Sequence, residues 1–225
     1  MKAVQRIRHA IARLTAREKE DWEFEWQRIH WAPLFAETQV QARVLDYWRT
    51  HRFLDEILAF VEPGPDTTIL DVGCGISTVL HFLPGMRIGL DPIAHRYESI
   101  YEYPEDIRII SGYGEDLPFD DGVFDLVTCS NCIDHTQDPQ KTVAEVARVA
   151  RPGGSIVITC EVFQEDRGRR NKGHPHSMTE RRLMDLVSPW SLRDHWVSPW
   201  IGLERYVRGK SRTRQDEHIL LLTNR

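Results

Sequence analysis

The segment from Thr67 to Ser77, TTILDVGCGIS, constrains the fold more than any other part of this chain. A β-branched, apolar run ends in Asp71, and Gly73 and Gly75 follow at once. Such a run reads as a buried strand. Paired glycines at its end let the backbone turn sharply and come close to a ligand without side-chain interference. A strand followed by Gly-x-Gly is shared with dinucleotide-binding proteins, so the motif alone is weak. Here the third glycine of the dinucleotide fingerprint would fall at Thr78, and an acid stands before the glycines where that fingerprint has none.

What surrounds this loop is an alternation of strand and helix. Strands are expected at 67–72, 86–91, 107–111, 124–129, 154–160, roughly 193–198 and 217–223. The clearest helix is 138–150, opened by Asp138-Pro139 and closed by Pro152-Gly153-Gly154. A shorter helix starts near Ser177 and carries Leu183, Leu186 and Val187 on one face. This order predicts an α/β fold, a doubly wound sheet that binds ligands at the carboxyl edge of its strands. The span from Gly75 to the second strand leaves room for only about two helical turns, and the pattern after Asp91 is a poor helix.

Some sixty residues precede the first strand. Val4, Ile7, Ile11 and Leu14 predict an amphipathic helix over 2–20, and Val40, Val44, Trp48, Leu54, Ile57 and Leu58 predict a helix or helix pair over 37–61. Between them lies an aromatic stretch with Trp22, Trp26 and Trp31. The expected division is a helical extension over 1–61 and a ligand-binding domain over 62–225. The extension either covers one edge of the sheet or forms a lid over the substrate.

The chain of 225 residues is too short for two full domains. A net charge of −5 disfavours a dedicated nucleic-acid binder, and no apolar run is long enough for a spanning helix. No signal-peptide pattern opens the sequence, and Cys74, Cys129, Cys132 and Cys160 read as reduced core residues, so a cytoplasmic location is expected. Cys129-x-x-Cys132 has no second Cys/His pair at matching spacing, so no metal site is assigned.

Further along, Asp91 closes the second strand in GLDP, where a carboxylate can accept hydrogen bonds from both hydroxyls of a ribose. GEDLPF places Asp116 just past the third strand, with Glu115 and Asp120 as register alternatives. FDLVTCSNCIDH forms the fourth strand and its exit, and ARVARPGG precedes the fifth. With LDVGCG these motifs resemble the class I S-adenosylmethionine-dependent methyltransferases, in the small-molecule branch, over about residues 65 to 200. The resemblance implies a Rossmann-like seven-stranded sheet whose last strand is antiparallel, and S-adenosyl-L-methionine as cofactor. It implies that Asp71, Gly73 and Gly75 hold the methionine end and that Asp91 holds the ribose. Ile93 and Leu117 would flank the adenine, Asp116 would meet its amino group, and Ser130 would meet the cofactor's own amino group.

A sulfonium is already an activated methyl donor, so the enzyme chiefly has to align a nucleophile and exclude water. Where that nucleophile is a hydroxyl, a histidine base suits neutral pH. His135, His174 and His176 are the candidates. The tetrad of exocyclic-amine methyltransferases is replaced by Ser130-Asn131-Cys132-Ile133, which points to a small molecule or a carrier-bound metabolite rather than a nucleic acid. Basic residues at 167–172 and at 205–214 suggest an anionic acceptor, bearing phosphate or carboxylate. The competing readings are a nucleotide-dependent oxidoreductase and a non-catalytic module that only binds the cofactor.

Overall fold

The computed structural model describes residues 17–35, 38–164, 174–199 and 216–225. Both basic stretches, 167–172 and 205–214, and most of the helix expected over 2–20 lie outside these residues. Seven strands form one sheet: β1 (Thr68–Val72), β2 (Met86–Asp91), β3 (Ile107–Ser111), β4 (Phe124–Ser130), β5 (Ala150–Val162), β6 (Ser191–Pro199) and β7 (Asp216–Thr223). Their spatial order is β3-β2-β1-β4-β5-β7-β6. The pairings from β3 to β5 are parallel, and β7 runs antiparallel to both β5 and β6. The order reverses between β1 and β4, and such a reversal opens a ligand crevice at the carboxyl ends of the strands.

Helices that pack on this sheet include α1 (Thr38–His51), α2 (Leu54–Val61), α3 (Ala94–Tyr97), α4 (Pro139–Val149) and α5 (Glu180–Val187). Before them, residues 17–26 are helical and run through a π-helical turn, Gln27–Trp31, into Ala32–Phe35. Asp138 caps α4 by accepting from the Lys141 amide at 3.1 Å, with Pro139 in the first turn. Thr179 caps α5 in the same way, from Arg182 N at 3.3 Å. The expected helix over 37–61 is a pair. Phe53 breaks it with φ of +52°, a left-handed conformation held in place as its ring stacks on Trp196 with centroids 5.3 Å apart.

Two differences from the sequence reading have local causes. The crossover between β1 and β2 contains only a 3₁₀ turn, Val79–Phe82, because so few residues separate the strands. Strand β5 begins at Ala150, inside the expected helix end, because Ala150 pairs with Phe124 ahead of a register shift in the ladder.

Each face of the sheet has its own core. On one face, Ile69, Leu126, Leu221 and Ile219 pack with Val44, Tyr47, Trp48, Leu54 and Ile57 from α1 and α2. On the other, Leu70, Val127, Ile158 and Leu220 pack with Val143 and Val146 of α4 and Leu183 and Leu186 of α5. The extension is thus part of the main core, and it packs on one face of the sheet beside Val79, Leu80, Ala94 and Tyr97.

Candidate active site

At the carboxyl ends of β1, β2 and β4 lies a cavity of about 670 Å³. The loop after β1 forms its floor. Gly73 and Gly75 have φ of +70° and +51°, which β-carbon-bearing residues rarely adopt. The amides of Gly73 and Cys74 both donate to the Leu90 carbonyl, at 2.8 and 3.2 Å, so the loop hangs from the end of β2. A β-carbon on Gly73 would lie 2.2 Å from the Cys132 sulfur. The glycine is therefore required for the β1 and β4 exits to meet.

Asp71 and Asp91 flank this loop, and both are buried. Asp71 accepts from the hydroxyls of Thr128 and Thr78, each at 2.6 Å. Asp91 accepts from the amides of Ile93 (3.0 Å) and Gly75 (3.2 Å) and from the Tyr97 hydroxyl (3.0 Å). Burial pushes both carboxyls up to about 6, against the pull of these donors. An ionised carboxylate offers about four lone-pair sites. Asp91 thus keeps acceptor capacity facing the cavity it lines.

The wall opposite the glycine loop comes from the N-terminal helix and α1. Trp22, Glu23, Trp26, Gln27 and Trp31 line it, together with Tyr47, Trp48 and Arg52. Trp22 and Trp26 stack with centroids 5.5 Å apart. Gln27 accepts from the Ile76 amide at 3.2 Å, which ties this helix to the glycine loop.

The third wall is the exit of β4. Ser130, Asn131, Cys132, His135 and His174 line the cavity. Asp134 is 1% exposed, and its Oδ2 lies 2.9 Å from His174 Nδ1. The His135 and His174 rings sit 4.1 Å apart. His135 Nδ1 lies 3.3 Å from Glu23 Oε1, and the Lys19 ammonium donates to the His135 carbonyl. Among the described residues, buried His135 Nε2 has no hydrogen-bond partner, and Asp134 Oδ1 lies 3.9 Å away. Burial opposes a charge on His135, yet Asp134 and Glu23 outweigh it and raise its pKa. Asp134 is held below the usual carboxylate range by the same histidines, despite its burial. Donor atoms of Asp134, His135 and His174 lie close enough together to hold a metal ion, though their mutual hydrogen bonding also accounts for the arrangement.

The structure gathers most of the expected site and leaves part of it out. Asp71, Gly73, Gly75, Asp91, Ile93, Ser130, His135 and His174 line one cavity. Asp116 is exposed and lies outside its walls, because the turn after β3 points Glu115 inward instead. Glu115 also accepts from the amides of Gln137 and Asp138. Leu117 is buried in the core of the other face, with its amide donating to Glu145 at 2.8 Å. His176 also stays out of the cavity, its ring nitrogens facing the Gln137 carbonyl and Arg182. Ser130 is engaged by Arg52 and Thr159.

No sequence pattern points to Arg52. It is 7% exposed, forms an ion pair with Glu217 at 2.8 Å, and lies over the rings of Trp48 and Tyr47. Glu217 and Glu161, both buried, escape sequence reasoning because they lie far along the chain from the loop and helices around the cavity. Asp134 carries a usable signal, its place beside His135.

Comparison with known proteins agrees with this geometry. Residues 70–158 match the methyltransferase domain family. The chain is 33% identical over 140 residues to ajmaline N-methyltransferase of Rauvolfia serpentina, a match covering 51% of this chain and 44% of that protein. It is 32% identical over 120 residues to demethylmenaquinone methyltransferase of Renibacterium salmoninarum, covering 51% and 50%. The chain thus spans about half the length, or less, of these curated relatives. The crystal structure of YcgJ from Bacillus subtilis superposes with a TM-score of 0.58 at 17% identity, over 76% of this chain and 97% of that one. Sheet order, glycine loop and matched segment together resemble a methyltransferase domain of the class I, S-adenosylmethionine-dependent type.

Proposed function

We propose that this chain transfers the methyl group of S-adenosylmethionine to a nucleophilic atom of a small molecule held between the glycine loop and the N-terminal helix. The carrying observation is one cavity lined at once by the Asp71–Asp91 loop and by His135 and His174. When bound, the cofactor supplies an electrophilic methyl on a sulfonium. The residues present fit it: a buried carboxylate with spare acceptor sites at the end of β2, beside a loop in which Gly73 and Gly75 carry no side chain. Asp91 would hold a ribose, Ile93 would pack on the adenine, and the Asp71 loop would hold the methionine end. Glu115, rather than Asp116, would meet the adenine amino group.

His135 is the candidate base. Its Nδ1, beside cavity-lining Glu23, would take a proton from the acceptor, while the buried Nε2 stays turned to Asp134. Asp134 and His174 orient the ring and stabilise the charge it gains. The aromatic wall excludes water from the reacting atoms.

An anionic or carrier-bound acceptor is supported by the basic sequences 167–172 and 205–214. The described walls favour an amine. Glu20 and Glu23 line the acceptor side with Trp22 and Trp26, and an indole beside carboxylates suits a cationic group. The amine is the better supported reading, because its groups are placed around the cavity. The division into residues 1–61 and 62–225 is a functional one, the first part supplying the acceptor wall and the second the cofactor loop. A cytoplasmic location is supported by four free cysteines, and among the described residues no helix is long and apolar enough to cross a membrane.

The test is turnover of methyl-labelled S-adenosylmethionine against small amines, alcohols, carboxylates and phosphates. Transfer to amines alone supports the amine reading. Transfer to carboxylates or phosphates restores the anionic one, and no transfer to any class contradicts the proposed activity.

A further inference from the structure

The face of the sheet that α5 covers carries a second cluster of ligating side chains. His195 on β6 and His218 on β7 belong to neighbouring antiparallel strands, with Val197 directly opposite His218. His195 is two positions from Val197, so both imidazoles project from the same face. His195 Nε2 lies 2.9 Å from His218 Nδ1. Glu180, the first residue of α5, reaches the same point, and the three donor atoms lie within 4.8 Å of one another. His218 is 5% exposed, whereas Glu180 is exposed, which leaves the cluster a path to solvent.

We propose that Glu180, His195 and His218 form a binding site for a divalent transition-metal ion, Zn²⁺ or a similar ion, that is separate from the methyl-transfer cavity. Two imidazoles and one carboxylate are borderline ligands that suit zinc, cobalt and nickel and leave calcium or magnesium poorly served. Ions of this kind bind nitrogen and oxygen at about 2.0–2.2 Å, which places tetrahedral donor atoms about 3.3 Å apart. The two histidine nitrogens already stand near that separation, so small side-chain shifts bring all three donors to one ion. A fourth position stays open to water.

The site would act as a clip behind the active site. The three ligands come from α5, β6 and β7, and α5 and β7 pack together in the core of that face. The residue before His218 is Glu217, which points to the opposite face and pairs with Arg52 at the cavity. An ion bound at His218 would therefore fix the strand that holds Arg52. It would do so without touching substrate or cofactor, and this inference does not depend on the proposed transfer reaction.

The experiment is calorimetric titration of the chelator-stripped full chain with zinc chloride, followed by cobalt substitution read in the visible spectrum. Zinc at micromolar concentration is expected to bind and to raise the unfolding temperature. His195→Gln and Glu180→Gln, at half-buried and exposed positions, should each weaken binding by at least about tenfold and abolish the tetrahedral cobalt absorbance. His174→Gln, which alters the other ligating cluster, should leave both intact. The proposal is overturned by absence of binding to the wild type, by unchanged affinity in His195→Gln, or by a loss seen in His174→Gln alone.

Discussion

Arg52 and Glu217 form a buried ion pair, 2.8 Å apart with side chains 8% and 1% exposed, that joins the α1–α2 junction to β7 beneath the cavity. Arg52 also donates to Ser130 and Thr159 at the ends of β4 and β5, so one guanidinium gathers three strands and a helix pair. Removing one partner of such a pair leaves an uncompensated charge in the interior, at a cost of about 3–5 kcal/mol. Arg52→Ala and Glu217→Ala should each lose that much in urea denaturation, and the double variant much less than the sum. Additive losses would mean that the two residues act independently.

Asp71 and Asp91 make the protein's stability depend on pH in a definite direction. Each carboxyl titrates near 6 in the fold and near 3.8 when free. The folded state therefore binds protons more readily, and this contribution is fully present below about pH 4 and lost as pH rises through about 6. It is on the order of 3 kcal/mol for each group, since each tenfold change in proton affinity is worth about 1.4 kcal/mol. Asp91→Asn should flatten part of the decline in urea midpoint between about pH 4 and 7. A wild-type slope of equal size in Asp91→Asn and Asp71→Asn would place the titration elsewhere.

His135 should govern the rate if it accepts the acceptor's proton. Its raised pKa keeps it protonated, and unable to act as a base, below a point above the usual histidine value of 6.5. The expected profile of kcat/KM rises through that point towards higher pH. His135→Gln should lower the rate by about 10²-fold or more and erase the limb, with cofactor affinity nearly unchanged. A limb of the same position in the variant would assign it to another group.

Truncation separates support from contact. Val44, Tyr47, Trp48, Leu54 and Ile57 are all at most 6% exposed within the core of one sheet face. At about 1.5–3 kcal/mol for each buried side chain, their loss matches the whole net stability of a domain. A chain starting at Glu62 should therefore fail to fold, as circular dichroism would show. Trp22→Ala and Trp26→Ala, on the cavity wall, should leave it folded and raise the acceptor's KM. An unchanged KM in both would confine these rings to a packing role.

The strand–loop pattern around Asp71, Gly73 and Asp91 is legible in the sequence because backbone chemistry dictates it locally. A sharp turn needs glycine, and a strand end beside that turn faces the ligand crevice. The pairing of Arg52 with Glu217 is not legible, since it depends on sheet order and on two residues 165 positions apart. The register of the turn after β3 is not legible either. Glu115 and Asp116 are neighbours, and in an irregular turn no periodicity decides which one faces inward. His176 fails similarly, as Pro175 places it and His174 in different surroundings.

The central claim is that Asp91 anchors S-adenosylmethionine in this cavity, and its most direct measurement is calorimetric binding of S-adenosylhomocysteine to wild type and Asp91→Ala. Loss of charge-assisted hydrogen bonds should cost about 1.5–3 kcal/mol, or roughly 10- to 150-fold in Kd, in a variant that remains folded. Wild-type affinity should also fall as pH drops below about 6, where Asp91 becomes protonated. Unchanged affinity in Asp91→Ala, or wild-type binding of NAD in preference to S-adenosylhomocysteine, would contradict the account.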